Sequence, residues 1–559
     1  MFNKIYVQVN NHRFQRVRLI YKMVLCGILL APALASSANE LKLPAVFSDH
    51  MVLQREVPVP VWGRAGPGDN VTVAIADQKA QAIADTNGQW QVKLSPMKAA
   101  SQPVVMTITA GINTITVRDI LVGDVWLCSG QSNMEMRLAQ WRKLPDDLKS
   151  VDFSMIRQFL APFKPSVEPS PDLQGNWAAC SQETASLFTA VGFYFARKVH
   201  LETGIPIGLI NSSRGGTRIE TWMAPEGVES VAELKPMRDE LAGEFEKYRN
   251  ELGKKLPEIK TRIDEMQKAL ADKSIPLPPP PAWPDHPIFN QNENPHGLFS
   301  LYNGMIYPLA PFAIKGALWY QGEANTNDGG DIYYHKMRAL IGGWRTVWGQ
   351  GDFSFYFVQL PNWLAPSDNP GGNPGWANLR EAQTKSLAIP RTGMAVTIDV
   401  GEANDVHPKN KKDVGERLAL WALKNDYGQQ SLECSGPLFK AMKVEAGRVR
   451  ISFDHAGAGL MVGKKEGREA AKEDKNGTLQ RFALAGTNGI WHWAGAVIEG
   501  NTVVVSSTNV CAPTAVRYAY ALNPEGCNLY NREGLPASPF AAECQQPVTS
   551  NAEVNVQQH

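Results

Sequence analysis

The sequence lacks most of the signals that mark a metal, redox, nucleic-acid or membrane protein. Seven cysteines are scattered over 559 residues with no Cys-x-x-Cys pair, and the ten histidines form no Cys/His cluster. That excludes the usual structural zinc patterns, and no metal or cofactor is expected. Neither charge dominates: 56 Lys and Arg stand against 55 Asp and Glu, a net charge of +1. No basic face is therefore expected for nucleic acid or an anionic membrane. Long apolar runs are absent too, with one short exception. Arg13, Arg16, Arg18 and Lys22 precede the apolar stretch Met23–Ala35, and Ala33 and Ala35 give an A-x-A cleavage pattern. Residues 1–35 thus read as a secretory signal, with Met23 a second candidate start, and the run is short for a bilayer span. The expectation is a periplasmic or secreted protein with no membrane attachment after signal removal. Six cysteines then remain (Cys128, Cys180, Cys434, Cys511, Cys527 and Cys544), an even set that permits disulfides without fixing their pairing.

What the sequence does hold is ordinary globular composition, 43% hydrophobic and 20% charged, with abundant Gly, Pro and Trp (47, 38 and 15). Residues 41–118 show short alternating or β-branched segments at 57–62, 71–75, 90–94 and 104–109, broken by turn residues at 66–70 and 86–89, and read as a β-sandwich module. Residues 119–426 change period. Apolar strands at 120–127, 207–210, 317–320, 353–360 and 394–400 alternate with helical stretches such as 184–203 and 409–424, which implies a parallel sheet covered by helices. A charged helical and Pro-rich insertion at about 226–295 reads as a solvent-facing excursion, with a lid or partner-binding arm as the alternative. Residues 427–545 return to β pattern, with strands expected at 449–453, 480–485, 502–507 and 514–521.

Four polar motifs follow four of the apolar strands. They are Ser129–Met136, Asn211–Thr217, Gln321–Asn325 and Glu402–Pro408. In an open parallel sheet the loops at the carboxyl ends of the strands converge on one crevice, so the four motifs point to one site. A serine hydroxyl needs a base to become a nucleophile, and histidine is the base suited to neutral pH. Ser132 and His407 fit those roles. Attack on an ester carbonyl makes an oxyanion, and the Ser132 amide, the Gly216 amide and the Asn325 side chain are candidate donors to it. Gln131, Arg214, Trp222, Tyr320 and Glu323 stand in the same loops as candidate substrate contacts, and Trp363 and Trp376 follow as a candidate stacking platform for a sugar ring. Each residue alone has a bland reading as a turn, cap or core residue. The joint placement is what favours the site.

These blocks resemble the SGNH-type hydrolases, and most closely the sialate O-acetylesterase family. The resemblance rests on Gly123–Glu135, Trp319–Asn325 and His407–Lys411, with further matches at Leu43–Gln54 and Asn528–Phe540. It implies a three-layer α/β hydrolase domain with flanking β-sandwich modules and metal-free acetyl ester hydrolysis. The substrate implied is an acetylated carbohydrate, either a sialic acid or an acetylated plant oligosaccharide such as xylan or xyloglucan. Two positions depart from the pattern. Where many SGNH enzymes carry the triad aspartate this sequence has Asn404, leaving Asp405, Asp399 or a dyad oriented by a main-chain carbonyl. Arg214 stands where an aromatic residue is common in relatives. The competing readings are a carbohydrate-binding protein that kept the fold without the chemistry, and another hydrolase type such as an amidase or lipase.

Overall fold

The computed structural model describes residues 41–141, 153–273, 275–288, 297–372 and 374–544. The expected signal segment, residues 1–35, lies outside them, as does part of the insertion. Thirteen strands build the first two thirds of the chain: β1 (Val52–Gln54), β2 (Val59–Arg64), β3 (Asn70–Ile75), β4 (Gln78–Ile83), β5 (Gln89–Leu94), β6 (Ala100–Ala110), β7 (Asn113–Gly130), β8 (Phe153–Leu160), β9 (Trp177–Cys180), β10 (Ile207–Ser213), β11 (Gly316–Tyr320), β12 (Ser354–Val358) and β13 (Thr392–Ala395). The helices are α1 (Ser132–Glu135), α2 (Ala190–Thr203), α3 (Pro225–Ser230), α4 (Lys235–Ala271), α5 (Gly330–Trp348), α6 (Pro374–Lys385) and α7 (Lys411–Asn425).

The central sheet runs β13-β12-β11-β7-β10-β8-β9, parallel except for the β8–β9 pair. From β7 the chain passes over one position to β8 and its antiparallel neighbour β9, returns to fill the gap as β10, and then crosses to the other side for β11, β12 and β13. Its order therefore reverses at β7, and the carboxyl end of β7 is the switch point where a crevice opens in such sheets. Helices cover both faces. Trp126 of β7 meets Phe195 of α2 at 4.9 Å on one face, while Trp319 of β11, pointing the other way, meets Trp344 of α5 at 5.9 Å. Strands buried on both sides read as unbroken apolar runs, and β10, β11 and β12 are buried at every residue.

The boundary expected at 118/119 falls inside one strand. β7 begins in the amino-terminal sheet, where it pairs with β6 and β1, and continues without interruption into the central sheet. One 11-stranded sheet results, and the separate two-stranded β2–β5 sheet packs its buried side chains into the same core. The strand expected at 394–400 is shorter, ending at Ala395, after which the chain turns through residues 398–407. The helix expected over 184–203 begins at Ala190, because Ser181 and Thr184 hold a hydrogen-bonded turn before it.

Insertion helix α4 has 37 residues, of which only Ile259 and Ala269 are buried, so it faces solvent along its length. After residue 427 the chain forms small antiparallel sheets, one joining Leu438–Glu445, Arg448–Asp454, Thr502–Ser506 and Gly495–Glu499, another joining Trp491–Trp493, Phe482–Ala485, Ala515–Tyr518 and Phe540–Glu543. Arg380 of α6, fully buried, fastens this region to the central one: its guanidinium donates to the carbonyls of Leu360, Pro361, Ala521 and Leu522. None of the cysteines among the described residues is disulfide-bonded. No helix of the described residues is long and apolar enough to cross a membrane.

Candidate active site

Three adjacent strands end side by side, β10, β7 and β11, and each delivers one of the polar motifs. Gly130 closes β7 at φ +130°, and a side chain there would collide with the Tyr320 carbonyl at 2.2 Å, so only glycine lets β7 turn beside β11. The turn puts Ser132 at the first position of α1, where its amide has no acceptor within the helix. The loop after β13 starts three strands away, yet it crosses back over the sheet. It brings His407 Nε2 to 2.8 Å from Ser132 Oγ. This is hydrogen-bond distance between a hydroxyl and a base 275 residues apart in sequence.

Asp405 stands next to that pair. Its Oδ1 accepts the His407 amide at 2.9 Å and lies 3.4 Å from Nδ1 of the same ring. Both side chains are more than a third exposed, 42% for Asp405 and 37% for His407. Asp399 is elsewhere and committed. Its carboxylate takes both arms of Arg417 at 2.6 and 2.8 Å and is 3% exposed. It therefore has no route to the ring. The Lys409 amide and ammonium bind Glu402, which fixes the far side of the His407 loop.

On the β10 side, Gly215 lies against the nucleophile candidate: a β-carbon there would sit 3.3 Å from Ser132 Cβ and 3.0 Å from Glu135 Oε2. Its amide donates to Glu135 Oε2 at 2.6 Å. Gly216 follows at φ +74°, exposed, and its amide makes no hydrogen bond among the described residues. Arg214 is 41% exposed, stacks over Phe163 at 4.3 Å and lies 3.6 Å from Glu135. Gln131 is fixed through Oε1, which accepts from Gln321 Nε2 and from the amides of Gly322 and Ala324, while its Nε2 has no partner among the described residues.

Several expected site residues point elsewhere. Asn325 is fully buried, and every hydrogen-bonding position of its amide is filled. Oδ1 accepts from the Ile219 amide and Gln321 Nε2, and Nδ2 donates to Glu220 at 2.9 Å and to Asp328 at 2.7 Å. A donor held by two carboxylates has no N–H left for an oxyanion. The reason is a charge cluster: Arg218 and Lys336 pair with the same two acids. Burial alone would raise the Glu220 and Asp328 carboxyls, but the cations and the Asn325 amide hold both below their ordinary values.

Trp222 and Tyr320 are fully buried. Trp222 donates to Thr217 Oγ1 and packs against Trp319, so neither aromatic can stack on a sugar in the crevice. Glu323 also turns inward: its Oε1 accepts from Asn133 at 2.5 Å, its Oε2 is buried without a partner, and burial raises its carboxyl. Trp376 is 4% exposed and hydrogen-bonded to the Pro361 carbonyl, leaving partly exposed Trp363, 5.2 Å away, as the open ring of the pair. Trp363 pairs through its backbone with Glu402, which places it beside the His407 loop. Residues the sequence reading passed over include Asn133, Lys411, Glu220 and Asp328. Of these, Asn133 and Lys411 lay inside matched motifs, a signal that was there to be used.

A family model described as "Carbohydrate esterase, sialic acid-specific acetylesterase" matches residues 122–247 and 293–424. The crystal structure of a novel carbohydrate acetylesterase from Xanthomonas citri is similar, at 36% identity and a TM-score of 0.74, covering 90% of this chain and 100% of that one. Sialate O-acetylesterase of Mus musculus is 29% identical over 92% of this chain and 97% of the relative. Its Homo sapiens counterpart is 27% identical over 94% and 96%.

Proposed function

Since the chain belongs to the sialate O-acetylesterase family of carbohydrate esterases, carboxylic ester hydrolases by activity, we propose that it removes acetyl groups from an O-acetylated sugar by a serine mechanism of the SGNH type. The observation that carries this reading is the 2.8 Å contact between Ser132 Oγ and His407 Nε2 at the switch point of the sheet.

In this mechanism His407 takes the Ser132 proton as Oγ attacks the acetyl carbonyl, and the tetrahedral intermediate forms. The intermediate collapses to an acetyl-enzyme as His407 returns the proton to the departing sugar oxygen. Water then attacks the acetyl-enzyme with His407 as base, releasing acetate and restoring Ser132. Asp405, near Nδ1, stabilises the imidazolium formed in both halves. The amides of Ser132 and Gly216 are the oxyanion donors in this reading. Asn325 is not assigned there, because its N–H groups are held by Glu220 and Asp328. Arg214, Trp363 and the unpaired Nε2 of Gln131 are the candidate sugar contacts.

Export also remains a proposal, resting on the basic and apolar pattern of residues 13–35. The test of function is acetate release from O-acetylated sialic acids and from acetylated xylan and xyloglucan oligosaccharides, with Ser132→Ala as control. Release from at least one class, abolished in the control, is the expected result. No release from any acetylated sugar, with 4-nitrophenyl acetate also inert, would overturn the reading.

A further inference from the structure

Asn133, next to the nucleophile candidate, has no exposed surface. Its side-chain amide joins three separate parts of the chain. Nδ2 donates to Glu323 Oε1 at 2.5 Å and to the Val406 carbonyl at 3.2 Å, and Oδ1 accepts from Lys411 Nζ. Val406 and Lys411 stand on either side of His407. One amide beside Ser132 therefore grips the chain on both sides of His407, while Glu323 ties that amide to the loop after β11.

The arrangement is costly. Lys411 is fully buried at the start of α7, the carboxylates that act on its charge are Glu323, Asp405 and Glu402, and the Tyr320 ring is 5.4 Å away. Burial pushes the Lys411 ammonium down to about 7 against those acids, and burial pushes the Glu323 carboxyl up. The second Glu323 oxygen is buried with no hydrogen-bond partner. An ammonium and a carboxylate held apart by an amide recover less of their desolvation cost than a direct pair would, and buried ion pairs are in general weak contributors to stability. The placement of these residues around Ser132 and His407 points instead to geometry at the site.

We propose that Asn133, Lys411 and Glu323 form a buried clamp that sets His407 Nε2 against Ser132 Oγ. They act as positioning residues and touch no substrate. The proposal rests on the serine mechanism above. A base displaced by about 1 Å loses on the order of 10²-fold in rate, which sets the scale of the expected effects.

The test compares Asn133→Ala, Lys411→Met, Glu323→Gln and Glu323→Ala for kcat and KM on 4-nitrophenyl acetate, for thermal midpoint, and for the rate at which a fluorophosphonate labels Ser132. Asn133→Ala and Lys411→Met are expected to lower kcat and the labelling rate together by on the order of 10²-fold, with KM within about threefold of wild type. Glu323→Gln keeps an acceptor for Asn133 and is expected to stay within about threefold of wild-type kcat, while Glu323→Ala falls by about tenfold or more. A merely structural role would lower the thermal midpoint and leave kcat of the folded enzyme and the labelling rate unchanged. That result, or a change confined to KM, overturns the clamp. If Asn133→Ala does not fold, the Gln and Ala variants at Glu323 decide: equal damage by both overturns the proposal. Turnover retained by Ser132→Ala would instead sink the mechanism, whereas an inactive Ser132→Ala beside a fully active Asn133→Ala sinks the clamp alone.

Discussion

Two polar clusters sit on the loop after β11, two residues apart in sequence and opposite in construction. At Asn325, two cations (Arg218 and Lys336) meet two carboxylates (Glu220 and Asp328), and the amide fills the remaining acceptors. Charge is balanced, and both acids are held below their ordinary values. At Glu323, a carboxylate and the Lys411 ammonium share one bridging amide, with one oxygen left unpartnered and both groups pushed towards neutrality by burial. The first cluster is saturated, and it locks the loop after β10 to the loop after β11. The second is under-satisfied and lies beside the Ser132–His407 pair. The difference separates architecture from chemistry within one loop: fully paired charge fixes the frame, and costly, incompletely paired charge marks where geometry is used.

The comparison is tested most severely at its extremes. Ser132→Ala is expected to lower kcat on acetyl esters by on the order of 10⁴-fold or more while the thermal midpoint stays at its wild-type value, as steady-state kinetics and calorimetry will read. Lys336→Met strikes the saturated cluster and leaves two partly buried carboxylates, 14% and 11% exposed, short of a cation. It is expected to cost about 3–5 kcal/mol in denaturant unfolding, with kcat of the folded enzyme near wild type.

Asn325→Ala sharpens the contrast further. If the amide is architectural, unfolding free energy falls by about 1–3 kcal/mol and kcat changes little. An oxyanion donor would instead show a kcat loss of roughly 10²–10³ at unchanged stability. Smaller again is the carboxylate effect. Asp405→Asn is expected to lower kcat by about tenfold or more, below the roughly 10⁴-fold seen where a buried triad carboxylate controls the tautomer, because this one is exposed and 3.4 Å from the ring. Asp399→Asn should leave kcat alone and lower stability by freeing Arg417 from its bidentate partner.

The smallest effect is a pH slope. The lowered carboxyls of Glu220 and Asp328 contribute stability that is present above their ordinary values, 4.5 and 3.8, and is lost as pH falls through the lower folded values. Lys411 has the reverse sense. Its ammonium sits at about 7 in the fold against 10.5 ordinarily, so the unfolded chain binds more protons between those values and stability rises with pH across that window. Glu323 works in a lower window, where its raised carboxyl removes stability as pH climbs above 4.5. Denaturant titrations at pH 7 and 9 should show the upper rise in wild type and its absence in Lys411→Met.

Much of this frame is legible in the sequence, because apolar runs that alternate with helical periods announce a parallel sheet, and polar motifs at strand ends announce a shared crevice. That logic puts Ser132 and His407 in one place, and they lie 2.8 Å apart. Burial was harder to read. Trp222 reads as a loop aromatic and Tyr320 as a strand end opening on the crevice, yet one packs on Trp319 and the other ends a strand covered on both faces. The partners of Asn325 are not legible in the sequence, because the acids that accept from it lie on the loops after β10 and β11, the lysine that pairs with those acids lies on α5, and only the fold gathers them. The continuity of β7 across the expected 118/119 boundary is hidden in the sequence for a simpler reason: the change from alternating to unbroken apolar pattern falls within a single strand.

The central claim, a covalent acetyl-enzyme on Ser132, is open to one direct measurement. The enzyme is mixed with excess 4-nitrophenyl acetate, quenched in acid within the first turnovers, digested, and mapped by mass spectrometry. The account predicts an acetyl group on the peptide containing Ser132, absent from Ser132→Ala. Full turnover with no acetylated Ser132 peptide, or with acetyl carried on another residue, would contradict it.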